Sequence, residues 1–363
     1  TLSSSSAASD VYKRQTNCSL DNKTGIWEEE NNQRTTKVKE EKINKSYEDV
    51  FVSNTENEEE REVNPSEIIK KDKKINTINW QQEFYNDENN VSNFSYKNKQ
   101  ILISKSSKLA KSNIEPSILF TDKKIVSYDH KGRVFVYSIL EKKKIFEYNF
   151  YKKKFKKYKK ILNLIIYKQV IYVADNLGYI YAIDLDKKEL KWAQNYGIPF
   201  RSNIKIYDGK LFLSNQDNTL YSLNINNGEK NWQYDTSSSF LKSDFQNNLL
   251  IDKTNNLLFF LNTSGELYAI DLINNKVIWV NNFNRSSNTE SNLFLSFPLS
   301  LKNENLLIYD GKKILNLNSK TGIKNWETNL SLEIKPVLTS NNVFFVTKNN
   351  YLTCLNMIEG KII

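Results

Sequence analysis

The segment GYIYAIDLDKKELKW at residues 178–192 recurs as GELYAIDLINNKVIW at residues 265–279. Each copy opens with a glycine, which supplies the positive φ of a tight turn. A short apolar strand then ends at Asp184 or Asp271, and an Asp in this position starts a turn because its side chain bonds to backbone two residues on. Trp192 and Trp279 follow eight positions later. The pattern predicts a repeated unit of turn, strand, turn and outer strand.

The unit occurs five times and begins a sixth copy. The polar anchors are Ser138, Asp184, Asn224, Asp271 and Asn318, the aromatic residues are Phe146, Trp192, Trp232, Trp279 and Trp326, and the turn residues are Gly132, Gly178, Asn218, Gly265 and Lys312. The sixth copy places Asn350 in the turn and Asn356 at the anchor. Successive anchors lie about 38 to 47 residues apart, which is the length of one four-stranded propeller blade.

The inner strands of the unit are apolar on both faces, as in IYVAD at 171–175 and KLFLS at 210–214. Strands buried on both sides occur where sheets are covered on both faces, whereas a sheet with one solvated face alternates. A ring of such sheets also removes most exposed edges. We therefore expect an all-β protein, a β-propeller of four-stranded blades, with eight blades in the full-length protein and about six in this sequence.

Three segments of different composition precede or form this propeller. Residues 1–15, TLSSSSAASDVYKRQ, resemble a translated cloning adaptor more than natural sequence. Residues 16–74 are expected to form a lipoprotein N-terminus and a polar, flexible tether, because they can bury little apolar surface. Residues 75–363 are expected to form a C-terminally incomplete propeller, with Trp80 in the outermost strand of the last blade. The sequence has no apolar run long enough for a transmembrane helix.

Composition gives little support for nucleic-acid binding or for catalysis. The net charge of +10 accompanies a Lys- and Asn-rich composition, which is a weak signal for nucleic acid. The basic run KKKFKKYKK at 152–160 lies between two blades and is expected to be a solvated loop. The single histidine, His130, is expected in a solvated turn, and Cys354 in the packed core. One histidine argues against a Ser or Cys triad.

The repeat resembles the tryptophan-docking repeat of quinoprotein (PQQ-like) propellers, and Thr321 and Gly322 keep its Thr-Gly. Two groups share that repeat: PQQ- and calcium-dependent dehydrogenases, and the non-enzymatic outer-membrane assembly lipoproteins of the BamB family. Under both, Trp192, Trp232, Trp279 and Trp326, together with Asp184 and Asp271, would be structural residues that dock the blades.

The start of the natural sequence, Thr16-Asn17-Cys18-Ser19, resembles a mature bacterial lipoprotein. The BamB resemblance implies a scaffold on the periplasmic face of the outer membrane, lipidated at Cys18. It would belong to the barrel-assembly (BAM) complex and bind the periplasmic domain of its barrel-inserting subunit, BamA. Phe240, Leu241 and Lys242 lie in the loop that corresponds to the family's partner-binding loop, although packing within the fourth blade is an open alternative for them. Leu293 and Leu295 stand where the family has acidic residues.

A quinoprotein dehydrogenase would need a calcium ion held by carboxylate and amide oxygens and a carboxylate base. Asp184 and Asp271 are explained by turns, and no other carboxylate cluster stands out. We therefore expect no catalytic residue, cofactor, metal, small-molecule substrate or nucleic acid. The dehydrogenase, or a PQQ-like module that binds another protein, is the alternative hypothesis.

Overall fold

The computed structural model describes residues 18–20, 27–29, 69, 71–76, 79–95, 105, 109–110, 112–151, 155, 157–237, 246–283, 298–309 and 312–363. Among these residues, no helix is long and apolar enough to span a membrane. The chain divides into two compact units, Thr1–Ser53 and Asn54–Ile363.

The first unit contains a hairpin of two short antiparallel strands, β1 (Cys18–Leu20) and β2 (Trp27–Glu29), in which Cys18 lies opposite Glu29. The hairpin falls within the segment predicted as a tether. Most other residues of that segment lie outside the described ones.

In the described part of the second unit, six antiparallel sheets follow one another along the chain. The first three are formed by β3 (Leu119–Thr121), β4 (Lys124–Tyr128), β5 (Arg133–Ser138) and β6 (Lys143–Asn149); by β7 (Leu162–Tyr167), β8 (Val170–Asp175), β9 (Tyr179–Asp184) and β10 (Glu189–Asn195); and by β11 (Lys205–Tyr207), β12 (Lys210–Ser214), β13 (Thr219–Asn224) and β14 (Lys230–Asp235). The others are formed by β15 (Asn248–Asp252), β16 (Leu257–Leu261), β17 (Glu266–Asp271) and β18 (Lys276–Asn282); by β19 (Ser300–Lys302), β20 (Asn305–Tyr309), β21 (Lys313–Asn318) and β22 (Lys324–Asn329); and by β23 (Val337–Leu338), β24 (Asn342–Val346) and β25 (Leu352–Asn356).

The sheets are the blades of a β-propeller, so the predicted fold class is confirmed. Within each sheet the strands follow chain order, and the first strands of neighbouring blades approach one another, as β3 does β7 and β15 does β19. The first strands therefore surround the axis. Fourth strands such as β10 alternate between exposed and half-buried residues, as expected at a solvated rim.

The hydrophobic core lies between blades. Ile180 and Ala182 of the second blade pack with Leu211 and Leu213 of the third in one fully buried cluster. Four further clusters are present among the described residues, and most join residues of adjacent blades in the same way. The two-sided apolar pattern of the inner strands is explained by this packing.

Three of the tryptophans each donate a hydrogen bond from the indole to a backbone carbonyl of the next blade. The carbonyl lies in the turn that follows the third strand of that blade. Trp192 Nε1 donates to the carbonyl of Ile225 at 3.2 Å, Trp279 to Ser319 at 3.1 Å and Trp326 to Met357 at 2.8 Å. Trp232 instead donates to the Asn275 side chain at 3.0 Å. Each of these four tryptophans follows a β-bulge that places it opposite the small or polar residue of the preceding strand, as Trp192 is opposite Ala182.

The turns that follow the third strands are kept tight by side chains and by glycine. Asp271 Oδ1 accepts the amide of Ile273 at 2.7 Å, and Asp184 Oδ1 accepts those of Asp186 and Lys187. These bonds lower the pKa of Asp184. Gly322 has a φ of +71°, and a Cβ there would lie 2.7 Å from the Trp279 ring. Any side chain at this position would therefore push the indole out of its dock.

The prediction for Trp80 is wrong. Its backbone exchanges two hydrogen bonds of 2.7 Å with Phe120 of β3, the strand of the first blade nearest the axis.

A second prediction also fails in part, because Lys160, the last residue of the basic run, is buried rather than solvated. Burial lowers its pKa, and its ammonium donates to the carbonyls of Phe155 and Tyr158.

Candidate partner-binding face

The turns between second and third strands lie on the same face of the propeller as the links that lead from one blade to the next. We call this the linker face; its described residues include turns 215–219 and 262–266, link 195–205, and both ends of the next link, 235–237 and 246–248. Turns and links are joined there by backbone hydrogen bonds, such as that from Gln216 to the carbonyl of Pro199 at 2.8 Å. The described turns and links of the linker face are therefore joined to one another through their backbone.

Asn residues fix the turns of this face. Asn215 Oδ1 accepts the amides of Asp217 and Thr219 at 2.9 and 3.0 Å. Asn262 Oδ1 accepts those of Ser264 and Glu266 at 3.0 and 2.9 Å. A side chain that bonds local backbone in this way stabilises a turn without help from a neighbouring strand.

The link from the third to the fourth blade is anchored where it leaves the third. Thr236 Oγ1 donates to the carbonyl of Asn218 at 2.8 Å and accepts Asn262 Nδ2 at 2.9 Å. The carbonyl of Ser237 accepts Asn218 Nδ2 at 2.9 Å and Ser264 Oγ at 3.0 Å. The first end of the link is thus held by turns from both blades.

Glu266 completes this anchor. Its carboxylate accepts Ser237 Oγ, Asn262 Nδ2 and Tyr268 Oη at 2.8, 2.9 and 2.8 Å. Burial alone would raise the pKa of Glu266, but these hydrogen bonds outweigh it and hold the pKa below its usual range. The carboxylate is therefore ionised at neutral pH, and an ionised acceptor makes stronger hydrogen bonds than a neutral one.

The link is anchored again where it enters the fourth blade. Asn247 is buried, and its amide nitrogen Nδ2 donates to Ser214 Oγ at 2.8 Å and to the carbonyl of Asn215 at 3.0 Å. Its Oδ1 accepts the backbone amide of Thr263 at 2.9 Å. The described chain is therefore fixed to the linker face on both sides of residues 238–245.

The predicted partner-binding residues Phe240, Leu241 and Lys242 lie between these two anchors but outside the described residues, as do Leu293 and Leu295. Cys18 lies in β1, and its side chain is likewise not described. Sequence reasoning missed the anchor residues Glu266 and Asn247. Asn247 precedes the first strand of the fourth blade, where the repeat has no fixed residue, so no pattern marked it.

The other chemically notable residues have structural partners. His130 Nε2 lies 2.7 Å from Glu115 Oε1, and Asn342 Nδ2 donates weakly to the half-buried Sγ of Cys354 at 3.5 Å. In the part of the chain that is described, no group of three or more His, Cys, Asp and Glu side chains is arranged to hold a metal ion.

Comparisons with known proteins agree with this architecture. The family model described as outer membrane protein assembly factor BamB matches residues 166–363, whereas no curated protein matches the sequence. The structure of BamB from Moraxella catarrhalis superposes with a TM-score of 0.55 at 14% identity, covering 69% of this chain and 73% of that one. The computationally designed Ika8 protein superposes with a TM-score of 0.51, also at 14% identity, covering 70% and 74%. Identities this low show a shared fold only.

Proposed function

We propose a scaffold function for this chain, because the chain belongs to the family of the outer membrane protein assembly factor BamB. In this proposal it is a non-catalytic lipoprotein that helps to insert β-barrel proteins into the outer membrane as part of the BAM complex. It is held on the periplasmic face by a lipid on Cys18. Its partner is the periplasmic domain of BamA.

The observation that carries the proposal is the anchoring of the chain on both sides of residues 238–245. The network around Glu266 fixes one end and Asn247 fixes the other. Holding both ends of a loop reduces the entropy that is lost when the loop binds a partner. We propose that Phe240 and Leu241 supply apolar contacts and Lys242 a charged contact to BamA.

The polar groups of the propeller also favour a scaffold over an enzyme. Asp184 and Asp271 are bonded to backbone amides of their own turns. Asp175 is buried, and its carboxylate accepts the amides of Leu177 and Tyr179 and the hydroxyl of Tyr151. Carboxylates committed in this way are poorly placed to bind calcium or to take a proton from a substrate.

The test is co-purification from envelope membranes that contain the intact BAM complex. The full-length protein should retain BamA, and the triple variant Phe240→Ser, Leu241→Ser, Lys242→Glu should lose most of it. Ile273→Ser is the matched control, because Ile273 is strongly exposed in a turn on the opposite face. Equal retention by the triple variant would contradict the proposed contact, and no retention by the unmutated protein would contradict the proposed partner.

A separate experiment tests the anchor. Expressed behind a lipoprotein signal peptide, the protein should partition into detergent and carry the mass of a diacylglycerol on Cys18, whereas Cys18→Ala should be released in soluble form. Purified protein that instead binds PQQ in a calcium-dependent way and oxidises an alcohol or sugar would replace the scaffold with the dehydrogenase.

A further inference from the structure

Residues 80–90, which we call the axial segment, contact the first strand of all six blades. Apart from Asn89, which returns to the fourth blade, the contacts follow the order of the blades. At the first blade, the backbone amides and carbonyls of Trp80 and Phe120 bond to each other, and Gln81 Nε2 donates to Thr121 Oγ1 at 3.0 Å. At the second, the amide of Ile166 donates to the carbonyl of Gln81 at 2.8 Å.

The middle of the segment spans the next three blades. In the third blade, the fully buried Lys205 donates from Nζ to Gln82 Oε1 at 2.8 Å and to the carbonyl of Asn86 at 2.9 Å. In the fourth and fifth, backbone amides donate to the axial segment. These bonds run from Ile251 to the Asp87 carbonyl at 2.9 Å and from Leu301 to the Glu88 carbonyl at 3.0 Å.

Two buried asparagines, Asn89 and Asn90, make the last contacts of the axial segment. Asn90 bonds both backbone groups of Leu338 in the sixth blade, donating from Nδ2 to the carbonyl and accepting the amide at Oδ1, each at 3.0 Å. Asn89 Nδ2 donates to the carbonyl of Leu249 at 2.9 Å. The carbonyl of Asn89 accepts the ammonium of Lys335. Neither asparagine has appreciable exposed surface.

These contacts have a common chemical basis. The first strand of each blade has a sheet neighbour on one side only, so its other edge presents unpaired amides and carbonyls. The amides of Ile166, Ile251, Leu301 and Leu338 and the ammoniums of Lys205 and Lys335 all point to acceptors of the axial segment. The middle of the propeller is thus rich in donors, and it suits an extended peptide that offers carbonyl and side-chain amide oxygens.

We infer that the axial channel is a peptide-binding site and that residues 80–90 are its ligand, which is supplied by the same chain and ties the six blades together. The inference goes beyond the proposed scaffold function, because it concerns the axis and not the linker face. The ligand is separable in principle, since more than twenty residues stand between Asn90 and β3.

The experiment places a specific protease site between Ser95 and Lys105 in the full-length protein and cuts it after folding. Size exclusion then shows whether the fragment that carries residues 80–90 stays with the propeller, and a fluorescent peptide of residues 79–95 added in excess measures the exchange rate. The cut protein should retain the fragment and take up the labelled peptide slowly, whereas the uncut protein should take up none.

Asn90→Ala should speed the release of the fragment about tenfold or more, because it leaves the amide and the carbonyl of Leu338 without partners. Ser92→Ala is the matched control, since Ser92 is half-buried in the same fragment but lies outside the axial segment, and it should release the fragment at the unmutated rate. If Asn90→Ala does not fold, the exchange rate of the unmutated cut protein decides. Loss of the fragment on cutting, or labelled peptide entering the uncut protein as fast as the cut one, would overturn the inference.

Discussion

The rim and the axis of this propeller hold the same six blades together by different means. At the rim, each tryptophan joins the next blade across 31 to 43 residues of sequence, and the same residue types return in blade after blade. At the axis, one segment reaches every blade through polar residues that occur once, and the Asn90 contact spans 248 residues. Because the rim residues repeat, the rim contacts can be predicted from the sequence. The axial contacts produce no periodic pattern in it.

The largest loss of stability at the rim is expected from a side chain added beneath the indole of Trp279. Gly322→Ala combines a strained positive φ with a Cβ 2.7 Å from the Trp279 ring and should lower the free energy of unfolding by about 2–4 kcal/mol. Gly209→Ala is the matched control, because Gly209 has a φ of +68° but no atom within 4 Å of the added Cβ. It should cost about 1 kcal/mol. Urea unfolding of both variants measures the difference, and equal losses would show that docking contributes nothing beyond backbone strain.

The axis should give the protein a distinctive pH dependence. Burial lowers the pKa of Lys205 to about 7 and that of Lys335 to about 8, whereas a lysine in the unfolded chain titrates near 10.4. Between those values the unfolded chain binds protons that the folded protein does not, so stability rises with pH. For Lys205 the gain from pH 7 to pH 9 should be about 2 kcal/mol.

The variants Lys205→Met and Lys187→Met separate this effect from the general charge of the protein. Lys187 is exposed at a rim turn, so its variant should keep the full rise in unfolding free energy between pH 7 and pH 9. Lys205→Met should keep only the smaller part of this rise, which comes from Lys335. A rise of the same size in both variants would place its origin away from Lys205.

The smallest predicted effect distinguishes two tryptophans of the rim. Trp326→Phe removes a buried bond to the carbonyl of Met357 and should cost about 1–2 kcal/mol. Trp232→Phe removes an exposed bond to the Asn275 side chain, and should cost clearly less through that bond. Thermal unfolding of the two variants tests this order, and a larger loss for Trp232→Phe would contradict it.

The features that could be predicted from the sequence are those that recur from blade to blade. The spacing of Asp184, Asp271 and the aromatic residues, with the two-sided apolar strands, was sufficient for the propeller and its blade length. It was not sufficient for Trp80, which was assigned to the rim but pairs with Phe120 at the axis. An extended segment next to a sheet edge carries the same local signal wherever that edge lies.

The candidate site was predictable only in part. The Asn residues that fix the turns of the linker face recur at strand ends, as Asn215 and Asn262 do, and could have been found from their spacing. The bonds from Ser237 to Glu266 and from Asn247 to Ser214 join different blades. They depend on how neighbouring sheets are placed, which the sequence of one blade does not encode.

Amide hydrogen exchange of the full-length protein tests most directly whether the axial segment is an integral tie of the propeller. Peptides that cover residues 80–90 should be protected as strongly as the first strands that they contact, and more strongly than outer strands such as β10. Exchange of residues 80–90 at the rate of an unstructured chain, while the blades remain protected, would contradict the account.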